Sequence, residues 1–144
     1  MDIIIREAVQ ADAQSIWQLN CDGMGYSYPL DSTRTILENL LQSTADKIFV
    51  AVMDGHVVGY VHANDYQVLY APHMKNIMGI AVNRDYQHRG IGSALLRQVE
   101  QWARQTGASG VRLVSGATRT GAHAFYHQCG YAGDKAQLNL KKMF

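Results

Sequence analysis

The chain has 144 residues, of which 47% are hydrophobic and 17% are charged, and its formal net charge is +1. This length supports one hydrophobic core and predicts a single domain over residues 1–144. The balanced charge argues against the broad basic surface of a nucleic-acid-binding protein, and no apolar run approaches the roughly 18 residues that a membrane span needs. The start of the sequence lacks the pattern of a signal peptide, so we expect a soluble, cytoplasmic protein without nucleic-acid or membrane partners.

The first half of the chain predicts a strand, two helices and a two-stranded hairpin, in that order. A β-branched run predicts a strand at 3–5, and apolar spacing predicts a helix from a cap at Asp12 to about Cys21. A second helix is predicted over residues up to 41, after a cap at Asp31 or Ser32. Residues 47–65 predict an antiparallel hairpin, because Asp54-Gly55 readily supplies the positive φ angles of a tight turn.

The second half alternates strands and helices. A strand is predicted at 76–82, an amphipathic helix from Ile91 to about Thr106, and a strand at 110–115 that lies parallel to the first. A short helix at 121–128 and an apolar closing strand at 136–140 follow. The two cysteines, Cys21 and Cys129, lie outside any Cys-x-x-Cys pattern, so we expect free thiols and no metal site.

A basic, glycine-containing stretch leads into the third predicted helix. The first amides of a helix have no partner within it, and the helix dipole adds positive charge at the same end. Gly90 and Gly92 remove the Cβ atoms that would keep a ligand from these amides, while Arg84, His88 and Arg89 surround them. The pattern predicts a site for an anion, although the same glycines would also suit a tight turn between strand and helix.

Two familiar phosphate-binding motifs do not fit this stretch. A P-loop would need a Gly-Lys-Ser/Thr sequence, and a dinucleotide fingerprint would need glycine where Leu95 stands. The pattern Gln87-x-x-Gly90-x-Gly92 instead resembles the acyl-CoA pyrophosphate loop of the GCN5-related N-acetyltransferase (GNAT) family. The later sequence AHAFYHQCGY, at 122–131, is similar to that family's second signature, a tyrosine-containing helix that runs into Gly-Tyr or Gly-Phe.

The resemblance implies a fold and a coenzyme. The fold would be a mixed, mostly antiparallel sheet, flanked by helices and splayed where acyl-CoA binds, with a bulge in strand 76–82. Acetyl-CoA would be the cosubstrate. The residues implied to contact the pantetheine arm are Ile80, Ala81 and Val82, and those implied to contact the phosphates are Gln87, His88, Arg89, Gly90, Ile91, Gly92, Ser93 and Arg119.

The implied reaction is attack by an amine on the thioester of acetyl-CoA. Tyr126 matches the family position that donates a proton to the departing sulfur, and a phenol suits this role because the thiolate has comparable basicity. Asn76 stands where some members carry a glutamate base, and asparagine cannot accept a proton at neutral pH. The base is therefore open among His73, His62, Asp65 and a water chain that ends at one of them.

The acceptor would be a small-molecule or peptide amine. The residues expected to line its site are Tyr26, Tyr28, Tyr66 and Tyr70, with Asp22, Asp31 or Asp65 as partners for a cationic amine. Two rival functions are a noncatalytic acyl-CoA-binding module, favoured by Asn76 and opposed by Tyr126, and a general anion-binding regulatory domain. A homodimer is expected if strands 136–140 of two chains pair.

Overall fold

The structure is a computed structural model that describes residues 2–25, 27–116, 119–133 and 135–144. Within these ranges five strands form one sheet in chain order. The strands are β1 (Ile4–Glu7), β2 (Asp46–Met53), β3 (His56–Tyr66), β4 (Met74–Val82) and β5 (Val111–Leu113), and the helices are α1 (Ala13–Met24), α2 (Leu30–Leu41), α3 (Ile91–Gln105) and α4 (Thr120–Gln128). Strands β1 to β4 are antiparallel and β5 is parallel to β4. The predicted fold class is therefore confirmed.

The two strongest local patterns give the predicted elements. Asp54 and Gly55 have φ angles of 54° and 77°, so they turn the β2–β3 hairpin as expected. The apolar face of α3 is buried, and Leu95 and Val99 are 0% exposed. Gly107, with a φ of 77°, follows the end of α3 and marks its stop.

Helices cover both faces of the sheet. On one face, Leu95 and Leu96 of α3 pack against a cluster that includes Phe49, Val61 and Ile77. On the other face, α1 and α2 pack against a second cluster, which consists of Ala8, Ala13, Ile16, Leu19, Leu37, Ile48, Val50, Tyr60 and Ala81. We call these the α3 face and the α1/α2 face. Burial of apolar area on both sides of the sheet stabilises the fold.

The predicted cap position of the first helix is confirmed, since Asp12 is the N-cap residue of α1, and that of the second helix is wrong. The Asp12 carboxylate does not cap α1, because it accepts hydrogen bonds from Arg6 and from the backbone N–H of Val9. Burial disfavours the ionised form of Asp12, but these hydrogen bonds outweigh it and lower the Asp12 pKa. Helix α2 begins at Leu30, after Pro29, and Asp31 lies in its first turn.

The strands after the hairpin differ from their predicted bounds. Strand β4 begins at Met74, and β5 ends at Leu113 because it pairs with β4 only over Lys75–Ile77. The closing strand predicted at 136–140 is wrong, since residues 135–144 carry no strand and Leu138 and Leu140 are exposed. A strand requires a hydrogen-bonded neighbour, and the described part of this chain supplies none to the tail. No described helix is long and apolar enough to cross a membrane.

Candidate active site

Strand β4 contains the bulge that the sequence resemblance implied. Ala63 of β3 pairs with Ile77 and His62 pairs with Gly79, so Met78 is the extra residue. Beyond the bulge, over Gly79–Val82, the register of the described residues pairs β4 with β3 alone. The edge of β4 that carries Ile80, Ala81 and Val82 is thus free of a strand partner on the β5 side.

Gly79 has a steric reason to be glycine. A Cβ atom at this position would lie 3.1 Å from the hydroxyl oxygen of Tyr60. That hydroxyl donates a 2.7 Å hydrogen bond to Asn20 of α1. The absence of a side chain at Gly79 therefore lets α1 and β3 meet directly beneath the bulge.

The loop between β4 and α3 exposes its backbone. Gln87, His88, Arg89 and Gly90 are exposed, and His88 and Gly90 adopt positive φ angles of 64° and 83°. Gly90 is the N-cap of α3 and has open space around its Cα atom. The first amides of α3, at Ile91, Gly92 and Ser93, have no acceptor within the helix, so this end can receive an anion. The Ile91 side chain itself is buried in the core.

Gly92 has a packing role that the sequence did not reveal. A Cβ atom at Gly92 would lie 2.9 Å from the ring of Phe125. Because no real Cβ contact is this short, a side chain at Gly92 would push α4 or its phenyl ring away from α3. The glycine therefore sets the distance between the two helices that carry the two sequence signatures.

The basic side chains of the loop point to different neighbours. Arg84 donates to the backbone oxygen of Asp22 at 3.4 Å, and the Arg89 guanidinium lies 5.0 Å from the centre of the Tyr86 ring. Arg119 is the N-cap residue of α4 and is exposed. These positions keep Arg89 and Arg119 accessible to a ligand.

Tyr126 lines a cavity of about 580 Å³. The walls of the cavity come from the end of β5, from α4, and from residues 131–133 and 135–137. Burial raises the pKa of the Tyr126 phenol, and the positive charge of Arg119 opposes part of the increase. No residue that the structure describes accepts a hydrogen bond from the Tyr126 hydroxyl, so it is a neutral donor available to a ligand. The Ser115 hydroxyl, at the same cavity, is buried without a described partner.

Tyr131 is held differently, although it touches Tyr126. The two ring centres are 6.3 Å apart, but the Tyr131 hydroxyl donates to Glu100 of α3 at 2.8 Å. Burial, together with this hydrogen bond, raises the Tyr131 pKa. Tyr131 thus links the segment after α4 to α3, whereas the Tyr126 hydroxyl has no hydrogen-bond partner among the described residues.

A polar row crosses the α1/α2 face of the sheet beside the bulge. Asn64 pairs with Asn76, and Asn76 pairs with Arg112 on β5. The Arg112 guanidinium donates to Asn76 at 2.6 Å and lies 4.1 Å from the centre of the Tyr66 ring. Arg112 was not among the residues predicted from the sequence, although a charged residue inside the apolar run GVRLVS was an available signal.

The three candidate bases have different environments. Asp65 accepts from buried Lys75 and lies 2.8 Å from the His73 ring nitrogen, and the hydrogen bond from Lys75 lowers the Asp65 pKa. His62 lies 2.8 Å from the Asp46 carboxylate, and both side chains are partly exposed. His62 is also the cross-strand neighbour of Gly79, immediately after the bulge.

Tyr28, one of the residues predicted to line the acceptor site, lies beside α1. The Trp17 indole donates to the backbone oxygen of Tyr28 at 2.6 Å, and both line a cavity of about 550 Å³ with Asn20 and Cys21. Asp31 is exposed and pairs with Arg34. Tyr26 lies outside the described residues. No group of three or more His, Cys, Asp or Glu side chains in the described ranges is arranged to hold a metal ion.

Comparisons with known proteins give a family match and similar proteins. The model of the Acetyltransferase (GNAT) family matches residues 13–131. The chain is 32% identical to an aminoglycoside N(6')-acetyltransferase type 1 of Stenotrophomonas maltophilia, over 88% of this chain and 84% of that protein. It is 29% identical to the aminoalkylphosphonate N-acetyltransferase of Salmonella typhimurium, over 88% and 83%.

Two further comparisons concern length and fold. The match to an uncharacterized N-acetyltransferase of Methanocaldococcus jannaschii has 31% identity and spans 64% of this chain but only 42% of that protein. The solved structure of AAC(6')-Iy in complex with a CoA bisubstrate analogue has a TM-score of 0.88, covers all of both chains and is 18% identical. At this identity the likeness shows the fold alone.

Proposed function

Because the chain belongs to the GNAT acetyltransferase family, we propose that it is a single-domain enzyme that moves the acetyl group of acetyl-CoA to a primary amine. The amine attacks the thioester directly, with both substrates bound. The exposed loop and the first amides of α3 would hold the coenzyme phosphates through Gln87–Ser93, with Arg119 beside them. The free edge of β4 at Ile80–Val82 offers backbone hydrogen bonds to the amides of the pantetheine arm.

The unengaged hydroxyl of Tyr126 is the observation that carries this proposal. As the amine nitrogen bonds to the carbonyl carbon, the carbon–sulfur bond breaks and the thiolate needs a proton. The Tyr126 phenol is neutral, because burial raises its pKa, and no described side chain competes for its proton. The Tyr126 side chain is partly buried and lines the cavity, which leaves its hydroxyl accessible to a ligand and supports a role toward one.

His62 is the best supported base for the amine proton. A neutral imidazole has one nitrogen that can accept a proton, and the Asp46 carboxylate lies 2.8 Å from the His62 ring beside the bulge. Asp65 is a poor base because its pKa is lowered by Lys75, and it also engages His73. We therefore assign the base to His62, with Asp46 as its positioning residue.

The acceptor is proposed to be a small-molecule amine. Two similar proteins bear names that specify acetylation of such amines, aminoglycosides in one and aminoalkylphosphonates in the other. The polar row beside the bulge gives a small acceptor a surface next to the free edge of β4.

A thiol-release assay with acetyl-CoA and a panel of amines tests the proposal. Tyr126→Phe should lower kcat by about 10²- to 10⁴-fold while acetyl-CoA affinity, measured by calorimetry, stays within about threefold. Tyr131→Phe is the matched control, because it removes a hydroxyl of a neighbouring, similarly buried tyrosine whose partner is structural. It should reduce stability but leave kcat within about threefold.

Other results would reject parts of this function. Coenzyme A binding without thiol release from any amine would favour the noncatalytic acyl-CoA-binding module, which the asparagine at position 76 suggested. Equal stabilisation by acetyl-CoA, ATP and NAD would indicate a general anion site. Full turnover in Tyr126→Phe would remove Tyr126 as the acid.

A further inference from the structure

Arg112 is a preorganised cation on the α1/α2 face. Its guanidinium donates to the Asn76 side-chain oxygen at 2.6 Å and stacks on the Tyr66 ring at 4.1 Å. Asn76 is fixed in turn, because its amide group contacts the Met78 sulfur at 3.0 Å. These contacts hold the planar guanidinium in one orientation without neutralising its charge.

The charge of Arg112 is unpaired within the described chain. No carboxylate of the described residues forms an ion pair with it, and among these residues Asn76 alone accepts a hydrogen bond from its guanidinium, which uses one of five N–H donors. Arg112 is only partly exposed. Its remaining donors therefore suit a carboxylate or phosphonate, which a guanidinium binds through two parallel hydrogen bonds.

The carboxylates expected to attract a cationic acceptor are engaged elsewhere. Asp31 pairs with Arg34, and Asp65 pairs with Lys75 and approaches His73. Asp22 accepts a hydrogen bond from Gln18. Arg112 therefore places beside the bulge a positive charge that no described carboxylate pairs with, and this charge attracts an anionic group of an acceptor.

Arg112 is also close enough to the reacting groups to orient a small acceptor. It lines the same cavity as Tyr126. It pairs with Asn76, which precedes the Met78 bulge by two residues, and two residues of strand span about 7 Å. An anion on Arg112 would place an amine a few bonds away near the bulge.

From these contacts we infer that Arg112 binds an anionic group of the acceptor, so that the acceptor is a small primary amine carrying a carboxylate or a phosphonate. The inference rests on the function proposed above, because it names the substrate class of that same reaction. It assigns Arg112 to acceptor selection, and Asn76 and Tyr66 to positioning Arg112.

The test compares matched amines on the wild type and on Arg112 variants. β-Alanine carries a carboxylate at the position where 3-amino-1-propanol carries a hydroxymethyl group, so the two amines differ in charge. 2-Aminoethylphosphonate is the amine with a phosphonate, and spermidine is the polycationic amine. The wild type should show kcat/KM values about 10- to 100-fold higher for the preferred anionic amine than for 3-amino-1-propanol. Arg112→Gln should remove this difference, and Arg112→Lys should keep part of it. Arg104→Gln, an exposed change at the end of α3, should keep all of it.

Calorimetry separates this inference from the proposed function. β-Alanine and 2-aminoethylphosphonate are titrated into protein saturated with coenzyme A, so no turnover is needed. Anion binding that Arg112→Gln abolishes supports the inference even if no amine releases thiol, an outcome that would reject only the enzymatic function. Absence of anion binding in the wild type, or binding that is unchanged in Arg112→Gln, overturns it, as does equal loss of kcat/KM for the anionic and neutral amines. Arg112→Lys provides the second variant if Arg112→Gln melts below assay temperature.

Discussion

The two ends of strand β4 serve different purposes. Over Lys75–Ile77 the strand pairs on both sides, and Lys75 and Ile77 are 2% and 8% exposed. Beyond Met78 it pairs on one side and leads into a loop with exposed backbone. One extra residue divides a closed, stabilising half from an open half that a ligand can approach. Stability and ligand access are thus separated within one strand.

The closed half holds an unusual buried charge. The Lys75 ammonium contacts Asp65 and lies 3.8 Å from the centre of the Trp102 ring, so the cation is satisfied by a carboxylate and an aromatic face. The open half has no such pairing, and its loop instead uses positive φ angles at His88 and Gly90. Substitutions in the two halves should therefore separate into stability effects and coenzyme effects.

The largest expected effect comes from removing apolar side chains on the two sides of the bulge. Ile77→Ala should lower the free energy of unfolding by about 2–4 kcal/mol, because the cavity forms in a buried, doubly paired segment. Ile80→Ala, at a partly buried position in the open half, should cost about half as much but raise the KM for acetyl-CoA. Urea unfolding and steady-state kinetics measure the two effects. Equal stability losses with no change in KM would contradict the division at Met78.

Asp65→Asn tests the buried charge of the closed half through pH. Asp65 has a lowered pKa in the folded protein, chiefly through its hydrogen bond from Lys75, so its contribution is present above the unfolded value of 3.8 and is lost as pH falls through the folded value. At pH 7 the variant should be less stable by about 1–3 kcal/mol, because Lys75 keeps its charge without a carboxylate.

This deficit should shrink as the pH falls below about 4, where the wild-type carboxyl also becomes neutral. Urea unfolding of both proteins from pH 7 to pH 2 measures the difference. A deficit that is constant across this range would mean that Asp65 contributes through packing and not through its charge. Turnover at pH 7 and low temperature should change little, since Asp65 is not assigned as the base.

The smallest effect on stability is expected in the open half at Gly90. Gly90→Ala places a Cβ atom on a residue with a φ of 83° and should cost about 1 kcal/mol. Gly107→Ala is a matched control at the other end of α3, with a φ of 77° and the same open surroundings. Both variants should lose similar stability by thermal unfolding, but only Gly90→Ala should raise the KM for acetyl-CoA. A higher KM for acetyl-CoA in both variants would contradict the assignment of the loop to the coenzyme site.

Much of the fold could be predicted because its signals are local. The Asp54-Gly55 turn and the apolar face of α3 each depend on residues within one turn or one helix. The start of α1 after Asp12 was predicted, but the hydrogen bonds of the Asp12 carboxylate were not, because they come from Arg6, a residue on another element. The apolar tail at 136–140 has strand-like alternation, but no described neighbour completes a ladder.

The candidate site also has a part that the sequence predicts and a part that only the folded structure shows. By itself the sequence determined the loop with its glycines, the tyrosine in α4 and the family they indicate, since these are short motifs with fixed spacing. Tertiary structure alone decided that Gly92 packs on Phe125, that Asp65 is occupied by Lys75, and that Arg112 stands unpaired beside Asn76. The physical reason is that packing distance and charge pairing depend on residues far apart in the chain, which only the folded sheet brings within a few ångströms.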